Sequence, residues 1–129
     1  MRVLVCGGRN FGNYRGARRG TPEWKKADDE RKFIFERLDT LQPRFVIAGA
    51  ATGADTVAVE WAKANNIPFQ EYPADWKRFG PSAGPKRNKQ MLDEGQVDCV
   101  MAFPGGKGTW NMIGLAKKAK LPVIEPKYE

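Results

Sequence analysis

The chain has 129 residues, of which 41% are hydrophobic and 29% are charged, a balance typical of a soluble globular protein. Its 22 basic and 15 acidic residues leave a net charge of +7, which favours anionic partners such as nucleotides, nucleic acid or acidic proteins. There is no histidine, which excludes the usual general base, the Ser-His and Cys-His nucleophile pairs and most catalytic zinc sites. We predict no metal site and no cofactor.

The length fits a single domain over residues 1–129. No run of about 18 apolar residues exists, and the apolar start of "MRVLVCGGRN" is too short for a signal peptide. We therefore expect a cytoplasmic protein without a membrane partner. Cys6 and Cys99 each lie in an apolar run, which predicts buried thiols in strands rather than a disulfide framework.

The first part of the chain predicts a strand, a loop and a helix. Arg2 to Cys6 is a short apolar strand that ends at two glycines, and residues 9–22 are rich in glycine and predict a loop. Thr21 favours a helix start as an N-cap, because a proline and an acid follow it in the first turn. The helix continues with an apolar stripe at Ala27, Ile34, Leu38 and Leu41.

The middle of the chain predicts a second strand, a helix and a third strand. Arg44 to Ala48 is the second strand, and it ends at the turn "GAATGADT". The following helix carries apolar residues at helical spacing, namely Val57, Ala58, Trp61 and Ala62. "IPFQEY" is the third strand, and its proline, Pro68, predicts an edge position in the sheet.

The last part predicts a long loop, two helices and two strands. The loop "PADWKRFGPSAGP" leads to a short helix that Arg87 and Asn88 open. Val97 to Phe103 is the fourth strand, and "PGGKGT" follows it. A final helix with an apolar stripe at Met112, Leu115, Ala116 and Ala119 precedes a fifth strand at Leu121 to Ile124.

Apolar strands that alternate with helices predict an α/β fold in which helices cover both faces of a parallel sheet. We expect a Rossmann-like three-layer sandwich with a five-stranded parallel sheet. Ligands bind such sheets beyond the carboxyl ends of the strands. Three glycine-rich turns fall at that edge, namely "CGGRNFG", "GAATGAD" and "PGGKGT". Their backbone N–H groups and the adjacent helix N-termini predict a site for an anion such as phosphate.

None of these turns matches a standard nucleotide fingerprint. A P-loop requires G-x-x-x-x-G-K-[ST], and "PGGKGT" does not place a lysine at that point. In "CGGRNFG", Arg9 stands where G-x-G-x-x-G requires its second glycine. Each turn taken alone also fits a tight connection between strand and helix. The convergence of three turns is what favours the phosphate site.

Several polar residues beside the turns have two interpretations each. Asp55 follows Thr52 with capping-box spacing, and a carboxylate there also suits the hydroxyls of a ribose. Arg87 is suited to clamp a phosphate bidentately and Asn88 to contact a base edge or a sugar, or both are simply an exposed pair at a helix start. Two tryptophans stand beside the proposed ligand loops, Trp76 and Trp110.

Four segments, "RVLVCGGRNF", "GAATGADTVAVEWA", "PADWKRFGPSAGPKRNKQMLDEG" and "VMAFPGGKGTWNM…AKKAKLPVIE", together resemble the YspA-type (cpYpsA-related) branch of the SLOG superfamily. That superfamily is related to the DprA/Smf DNA-processing proteins and to the LOG (lysine-decarboxylase-like) nucleotide hydrolases. The resemblance spans nearly the whole chain apart from residues 12–31. It implies a Rossmann-like fold that binds nucleotides or nucleotide derivatives, such as a nucleotide second messenger, and a homodimer or higher homo-oligomer.

The resemblance also implies a set of ligand contacts. The positions that match the family motifs are Gly7, Gly8, Arg9, Gly49, Gly53, Asp55, Arg87, Asn88, Gly105, Gly106, Gly108 and Thr109. Neighbouring turn residues complete the predicted set, namely Asn10, Ala54, Pro104, Trp110 and Asn111.

Three departures from the family pattern bear on function. Ala48 and Ala50 replace a histidine and a glycine of the second turn. Trp110 and Asn111 stand where family members carry a small residue and an acid. In the hydrolase relatives that acid is thought to assist glycosidic cleavage, and an asparagine cannot transfer a proton in that role. The third departure is a basic insertion at about residues 12–31.

Three hypotheses follow. The first is a protein that binds a nucleotide-derived small molecule and acts as a sensor or a sequestering agent. The second is a phosphoribohydrolase or N-glycosidase that uses Asp55, the best remaining carboxylate, with Glu60 or Asp75 as alternatives. The third is nucleic-acid binding in the manner of the DprA relatives, with affinity that falls steeply with salt. It would use the basic residues Arg15, Arg18, Arg19, Lys25 and Lys26.

Overall fold

The computed structural model describes residues 1–129 and contains one five-stranded, fully parallel sheet with the order β3-β2-β1-β4-β5. The strands are β1 (Arg2–Cys6), β2 (Phe45–Gly49), β3 (Phe69–Tyr72), β4 (Cys99–Ala102) and β5 (Val123–Ile124). The predicted α/β architecture with five parallel strands is confirmed, and β3 lies at the edge as its proline indicated. The chain runs outward from β1 to β3 and then crosses to β4, so the strand order reverses between β1 and β4.

The helices are α1 (Pro22–Leu41), α2 (Ala54–Ala64), α3 (Trp76–Phe79), α4 (Ala83–Glu94) and α5 (Lys107–Lys118). None of them combines the length and apolar character that crossing a lipid bilayer requires. α1 packs against α2 on one face of the sheet, and α4 packs against α5 on the other. The result is the three-layer sandwich that the sequence predicts.

The two faces of β1 enter two separate cores, which is why its sequence is apolar from Val3 to Cys6. Val3 and Val5 point toward a core that α1 and α2 complete with Ile34, Leu38, Val57 and Trp61. Leu4 and Cys6 point toward a second core, which α4 and α5 complete with Met91, Met112 and Ala116. Alternate residues of a strand point to opposite faces, so a central parallel strand needs no polar position.

α1 begins where its sequence predicts. The side-chain oxygen of Thr21 accepts a hydrogen bond from the Trp24 N–H at 3.3 Å, and Pro22 occupies the first helical position. Such an N-cap contributes about 1 kcal/mol to stability. The Gln42 N–H still donates to the Leu38 carbonyl, and the left-handed backbone of Gln42 then ends the helix.

The start of α2 differs from the capping interpretation of Thr52 and Asp55, which is wrong. Gly53 is the N-cap residue, and no side chain caps the helix. The Thr52 hydroxyl instead donates to the Arg9 carbonyl at 3.2 Å. This residue therefore links the first and second glycine-rich turns rather than closing its own helix.

The segment predicted as a loop over residues 73–85 is partly helical. α3 forms one turn there, and a 3-10 turn over Gly80–Ser82 leads directly into α4. Arg87 and Asn88 consequently lie in the second turn of α4 and do not open it. The start of α4 was not predicted, because Pro85 suggested a loop. Proline also fits the first helical turn, where its missing N–H removes no helical hydrogen bond.

Four strands also differ slightly from their predicted bounds. β2 begins and ends one residue later than predicted, while β3, β4 and β5 are each shorter than the predicted segments that contain them. An apolar run continues into buried turns as well as strands, so hydrophobicity alone does not mark where strand pairing stops.

Candidate functional site

A cleft of about 500 Å³ opens at the carboxyl ends of β1 and β4, where the strand order reverses. Its wall consists of the turn after β1, the start of α2, the first half of α4 and the first turn of α5. This is the position at which open parallel sheets bind ligands, because the two neighbouring crossovers leave on opposite faces and part there.

The turns after β1, β2 and β4 contact one another closely behind this cleft. The Gly8 N–H donates to the Pro104 carbonyl at 2.8 Å, and a Cβ on Gly8 would lie 2.9 Å from the same oxygen. A Cβ on Gly7 would lie 2.6 Å from the Cβ of Ala54. Real Cβ atoms do not approach this closely, so these glycines allow the turns to pack together.

Two further glycines are explained by the same close approach. A Cβ on Gly53 would collide with the backbone of Gly8 and Arg9, and one on Gly105 would lie 2.7 Å from the Gly8 nitrogen. For these two positions the tight-turn interpretation holds, because backbone atoms of another turn already fill the space. Gly49, at the end of β2, instead leaves room for the guanidinium of Arg87.

Gly106 and Gly108 are different, because no atom lies within 4 Å of a Cβ at either position, and both line the cleft. They belong to the start of α5, where Gly106 is the N-cap residue, no side chain caps the helix and the first turn holds no acid. The backbone N–H groups of this turn and the positive end of the helix dipole are therefore available to an anion.

Asn88 ties α4 to the start of α5. Its side chain is buried, and its Nδ2 donates to the Gly108 carbonyl at 3.2 Å and to Oδ1 of Asn111 at 2.9 Å. Its Oδ1 accepts a hydrogen bond from Arg87 Nε at 3.1 Å. Asn88 therefore holds Asn111 and Arg87 in place, while the Nδ2 of Asn111 is a donor without a protein acceptor.

Two guanidinium groups border the cleft. Arg87 Nη1 donates to the Tyr72 carbonyl at 3.2 Å, which anchors the side chain at the end of β3. Burial lowers the pKa of Arg87, Asp55 opposes that shift, and the nearby charge of Arg9 adds to it. The Arg9 guanidinium lies over the Trp76 ring, 5.2 Å from its centroid. Two like charges near one opening attract an anion more strongly than either alone.

A smaller groove of about 280 Å³ adjoins the cleft and shares four lining residues with it, namely Arg9, Ala51, Trp76 and Arg87. The other residues of this groove follow β2 and β3, including Thr52 and Pro73. The four shared residues thus lie between two adjoining spaces.

Asp55 is the only carboxylate that lines the cleft, and it is 6% exposed. Burial raises its pKa to about 7, although Arg87, a hydrogen bond from the Ala51 backbone and Arg9 each favour the charged form. A carboxyl group with this pKa exchanges its proton near neutral pH, which is the property of a general acid or base.

The thiol of Cys6 also borders the cleft but is poorly suited to nucleophilic chemistry. Burial, reinforced by the negative charges of Asp55 and Glu125, raises its pKa to about 12. A thiol that stays protonated is a weak nucleophile. Both cysteines are free and buried, in agreement with their predicted place in strands.

The structure brings part of the predicted ligand set together. The residues that line the cleft are Gly7, Gly8, Arg9, Asp55, Arg87, Asn88, Gly106, Gly108, Thr109 and Asn111. The residues outside its lining are Asn10, Gly49, Gly53, Ala54, Pro104, Gly105 and Trp110. Trp110 is 68% exposed, because it follows Thr109 on the helix and so points away from the face that Thr109 buries.

The alternative catalytic carboxylates have other partners. Glu60 forms an ion pair with Arg31, and Asp75 caps α3 by accepting the Arg78 N–H at 3.1 Å. Neither lines the cleft, so Asp55 remains as the candidate.

The sequence analysis missed one part of the wall, formed by the start of α4. Pro81, Gly84 and Pro85 line the cleft, and Trp76 packs so closely over Gly84 that a Cβ there would lie 3.1 Å from the indole. The sequence feature that could have predicted this helix start is the pair of prolines around a glycine, because that pattern fits a first helical turn as well as a loop.

The five-stranded parallel sheet, with helices on both faces and a cleft at its point of strand reversal, places this chain in the Rossmann-like α/β class. Residues 1–79 match the YspA, cpYpsA-related SLOG family, so this chain belongs to that family. The chain is also 38% identical over 86 residues to the Gene 61 protein of Mycobacterium phage D29, an alignment that covers 61% of this chain and 68% of that protein.

Proposed function

We propose that this protein binds a nucleotide or a nucleotide-derived small molecule in the cleft and acts as a sensor or a sequestering protein. The observation that carries the proposal is the uncapped start of α5, where Gly106 and Gly108 leave the backbone open beside the cleft. A phosphate there would accept hydrogen bonds from the first-turn N–H groups and lie at the positive end of the dipole. The membership in a SLOG family supports a nucleotide-related ligand.

The rest of the cleft suits the non-phosphate parts of such a ligand. A volume of about 500 Å³ lies within the range of small-molecule sites. Trp76 and Met91 supply apolar wall, and the amide of Asn111 supplies a hydrogen-bond donor. Asp55 would accept hydrogen bonds from the hydroxyls of a ribose.

The same proposal includes self-association into a homo-oligomer, which light scattering of the purified protein tests.

Arg87→Ala is expected to weaken binding of a phosphorylated ligand about 10- to 100-fold, because a charge-assisted hydrogen bond contributes about 1.5–3 kcal/mol. Arg87→Lys should lose less, since lysine keeps the charge but not the planar fork. Isothermal titration against nucleoside mono-, di- and triphosphates, ADP-ribose species and cyclic nucleotides measures the affinity.

Arg78→Ala is the matched control for this experiment, because Arg78 is an exposed arginine of α3 that does not line the cleft. Its removal should change affinity less than twofold. Equal losses in Arg78→Ala and Arg87→Ala would show that general charge, not the cleft, attracts the ligand. Absence of binding by every nucleotide class would reject the proposed function.

One observation favours an enzyme as the second candidate, a phosphoribohydrolase or N-glycosidase that uses Asp55. Its carboxyl group is buried in the cleft and has a pKa of about 7. Against this, Asn111 stands where the hydrolase relatives carry an acid, and it is committed to Asn88. We place binding first because one carboxyl group would have to act alone.

Incubation of the protein with nucleoside monophosphates and NAD, followed by chromatography for free base, separates the two candidates. The binding proposal expects no base release by the wild type or by Asp55→Asn. Release that Asp55→Asn reduces by about a hundredfold or more would establish the enzyme with Asp55 as its acid or base. Release that Asp55→Asn leaves unchanged would assign the chemistry to another group.

A further inference from the structure

The basic insertion, residues 12–31, is a folded element and carries its own side-chain contacts. The Tyr14 hydroxyl donates to Oδ1 of Asp28 at 2.8 Å, and the Tyr14 ring stacks on Trp24 with centroids 5.4 Å apart. The Gly12 N–H donates to the buried carboxylate of Glu30 at 3.0 Å, while Arg31 Nη1 donates to the Gly12 carbonyl at 3.1 Å. These contacts fix the N-terminal end of the glycine-rich part of the insertion against α1.

A concave space of about 530 Å³ lies within this element, and we name it the insertion pocket. Its cations are Arg15, Arg18 and Lys26, and its carboxylates are Glu23 and Glu30. Glu30 is buried and accepts the Gly12 N–H, so Glu23 is the only exposed carboxylate of the lining.

The cations of the insertion pocket have no carboxylate partner. The neighbouring acids are paired elsewhere, since Asp29 pairs with Lys25 and Asp28 pairs with Lys32. No ion pair of the structure includes Arg15, Arg18 or Lys26. A rigid concavity with three unpaired cations is suited to a compact anion, because binding would not require an existing ion pair to break.

Arg15 provides an independent observation. Its φ is 54°, in the left-handed region that favours glycine, and its N–H donates to Oδ1 of Asn13 at 3.0 Å. A side chain at such a φ is disfavoured, and the hydrogen bond to Asn13 holds the turn in this conformation. Gly16, which follows directly, also has a positive φ, and no atom lies near its Cβ position. An arginine therefore occupies a strained position on the pocket wall.

We propose that the insertion pocket is a second anion site, distinct from the cleft, which binds the phosphoryl groups of a small molecule. The two sites adjoin, because Arg9 lines the cleft and Asn10 lines the insertion pocket. The Arg9 carbonyl accepts hydrogen bonds from Asn13 Nδ2 of the insertion and from Thr52 of the second turn. The backbone at Arg9 and Asn10 therefore borders both sites, so a ligand in one site would lie next to residues that border the other.

A compact ligand fits these observations better than a nucleic acid does. A nucleic-acid backbone needs a continuous row of free cations. One cation that would extend the pocket into such a row is engaged, since Lys25 pairs with Asp29. Neither Arg19 nor Lys25 lines the insertion pocket.

Titration of ¹⁵N-labelled protein with pyrophosphate tests the proposal, because the amide signals of the two sites report separately. We expect saturable shifts at Gly16 and Arg18 in addition to any shifts at Gly106 and Gly108. Arg18→Ala should weaken the response of the insertion about tenfold or more and leave the response of the cleft unchanged.

Arg19→Ala is the matched control, since it removes the same charge one residue away from the pocket lining. It should change pyrophosphate affinity less than threefold. Absence of saturable shifts in the insertion at millimolar pyrophosphate would overturn the proposal. A parallel titration with a single-stranded oligonucleotide gives the third outcome. Oligonucleotide binding that Arg18→Ala and Arg19→Ala weaken equally would replace the pocket with a nucleic-acid surface.

Discussion

Gly53→Ala is expected to destabilise the protein by about 4 kcal/mol, the largest effect we expect from removing a single glycine. Gly53 has a φ of 80° and a ψ of −133°, a conformation that is strained for any residue with a side chain. The added methyl group would also collide with the carbonyl of Gly8 and the backbone of Arg9. Backbone strain and overpacking each contribute about 1–3 kcal/mol.

Gly106→Ala is the control, because Gly106 has a φ of −110° and no atom within 4 Å of a Cβ position. The variant should lose about 1 kcal/mol of stability or less, because alanine is a poorer N-cap than glycine but meets no neighbouring atom here. Urea denaturation with fluorescence detection measures both variants. A loss below about 1 kcal/mol in Gly53→Ala would show that the first two turns can separate without cost.

The sequence predicts where the glycine-rich turns lie but not what each glycine does. The position of these turns at the carboxyl ends of the strands was predictable, because strand and helix patterns alternate clearly around the turns. The separate roles of adjacent glycines were not predictable. Gly105 packs against Gly8 while Gly106 is open, and only the distance between turns far apart in sequence distinguishes them.

The fold was predictable from its apolar strands, but the structure of the segment before α4 was not. Central parallel strands are buried on both faces, so they leave continuous apolar runs that stand out in the sequence. The segment before α4 has no such pattern, since α3 is a single exposed turn and Pro85 conceals the start of the next helix. Short helices without a buried face give no periodic signal.

The polar residues of the site were predictable by position but not by partner. Asp55, Arg87 and Asn88 were predicted as ligand contacts because they lie close to glycine-rich turns, and all three line the cleft. The hydrogen bond between Asn88 and Asn111 joins residues 23 positions apart, and no local pattern indicates it. Trp110 was predicted as a ligand contact because it follows the glycines, yet the helix turns its side chain outward.

The contribution of Asp55 to the free energy of unfolding is expected to fall as pH rises from about 4 to about 7. Its pKa is about 7 in the folded protein, because burial penalises the charge. An unfolded aspartate ionises near pH 4. Between these values the native state binds more protons than the unfolded state, so stability decreases with pH. The stabilisation that Asp55 provides is complete below about pH 4 and lost above about pH 7. It amounts to about 4 kcal/mol.

Asp55→Asn should remove this dependence, because an amide of the same shape carries no charge at any of these pH values. The variant is expected to be more stable than the wild type at pH 8, by up to about 4 kcal/mol, and close to it at pH 4. Urea denaturation at half-unit intervals from pH 4 to pH 8 gives the two curves, whose difference cancels the titration of the other carboxylates.

Asp93→Asn provides the matched control, because Asp93 is an exposed carboxylate of α4 whose partner is Lys89. This variant should keep the slope of the wild type. If Asp55→Asn also keeps the slope of the wild type, the carboxyl group of Asp55 is ionised from pH 4 to pH 8 despite its burial. That result would weaken the enzyme hypothesis further, since a permanently charged Asp55 could not act as a general acid near neutral pH. It would leave the binding proposal intact, because the start of α5 does not depend on this proton.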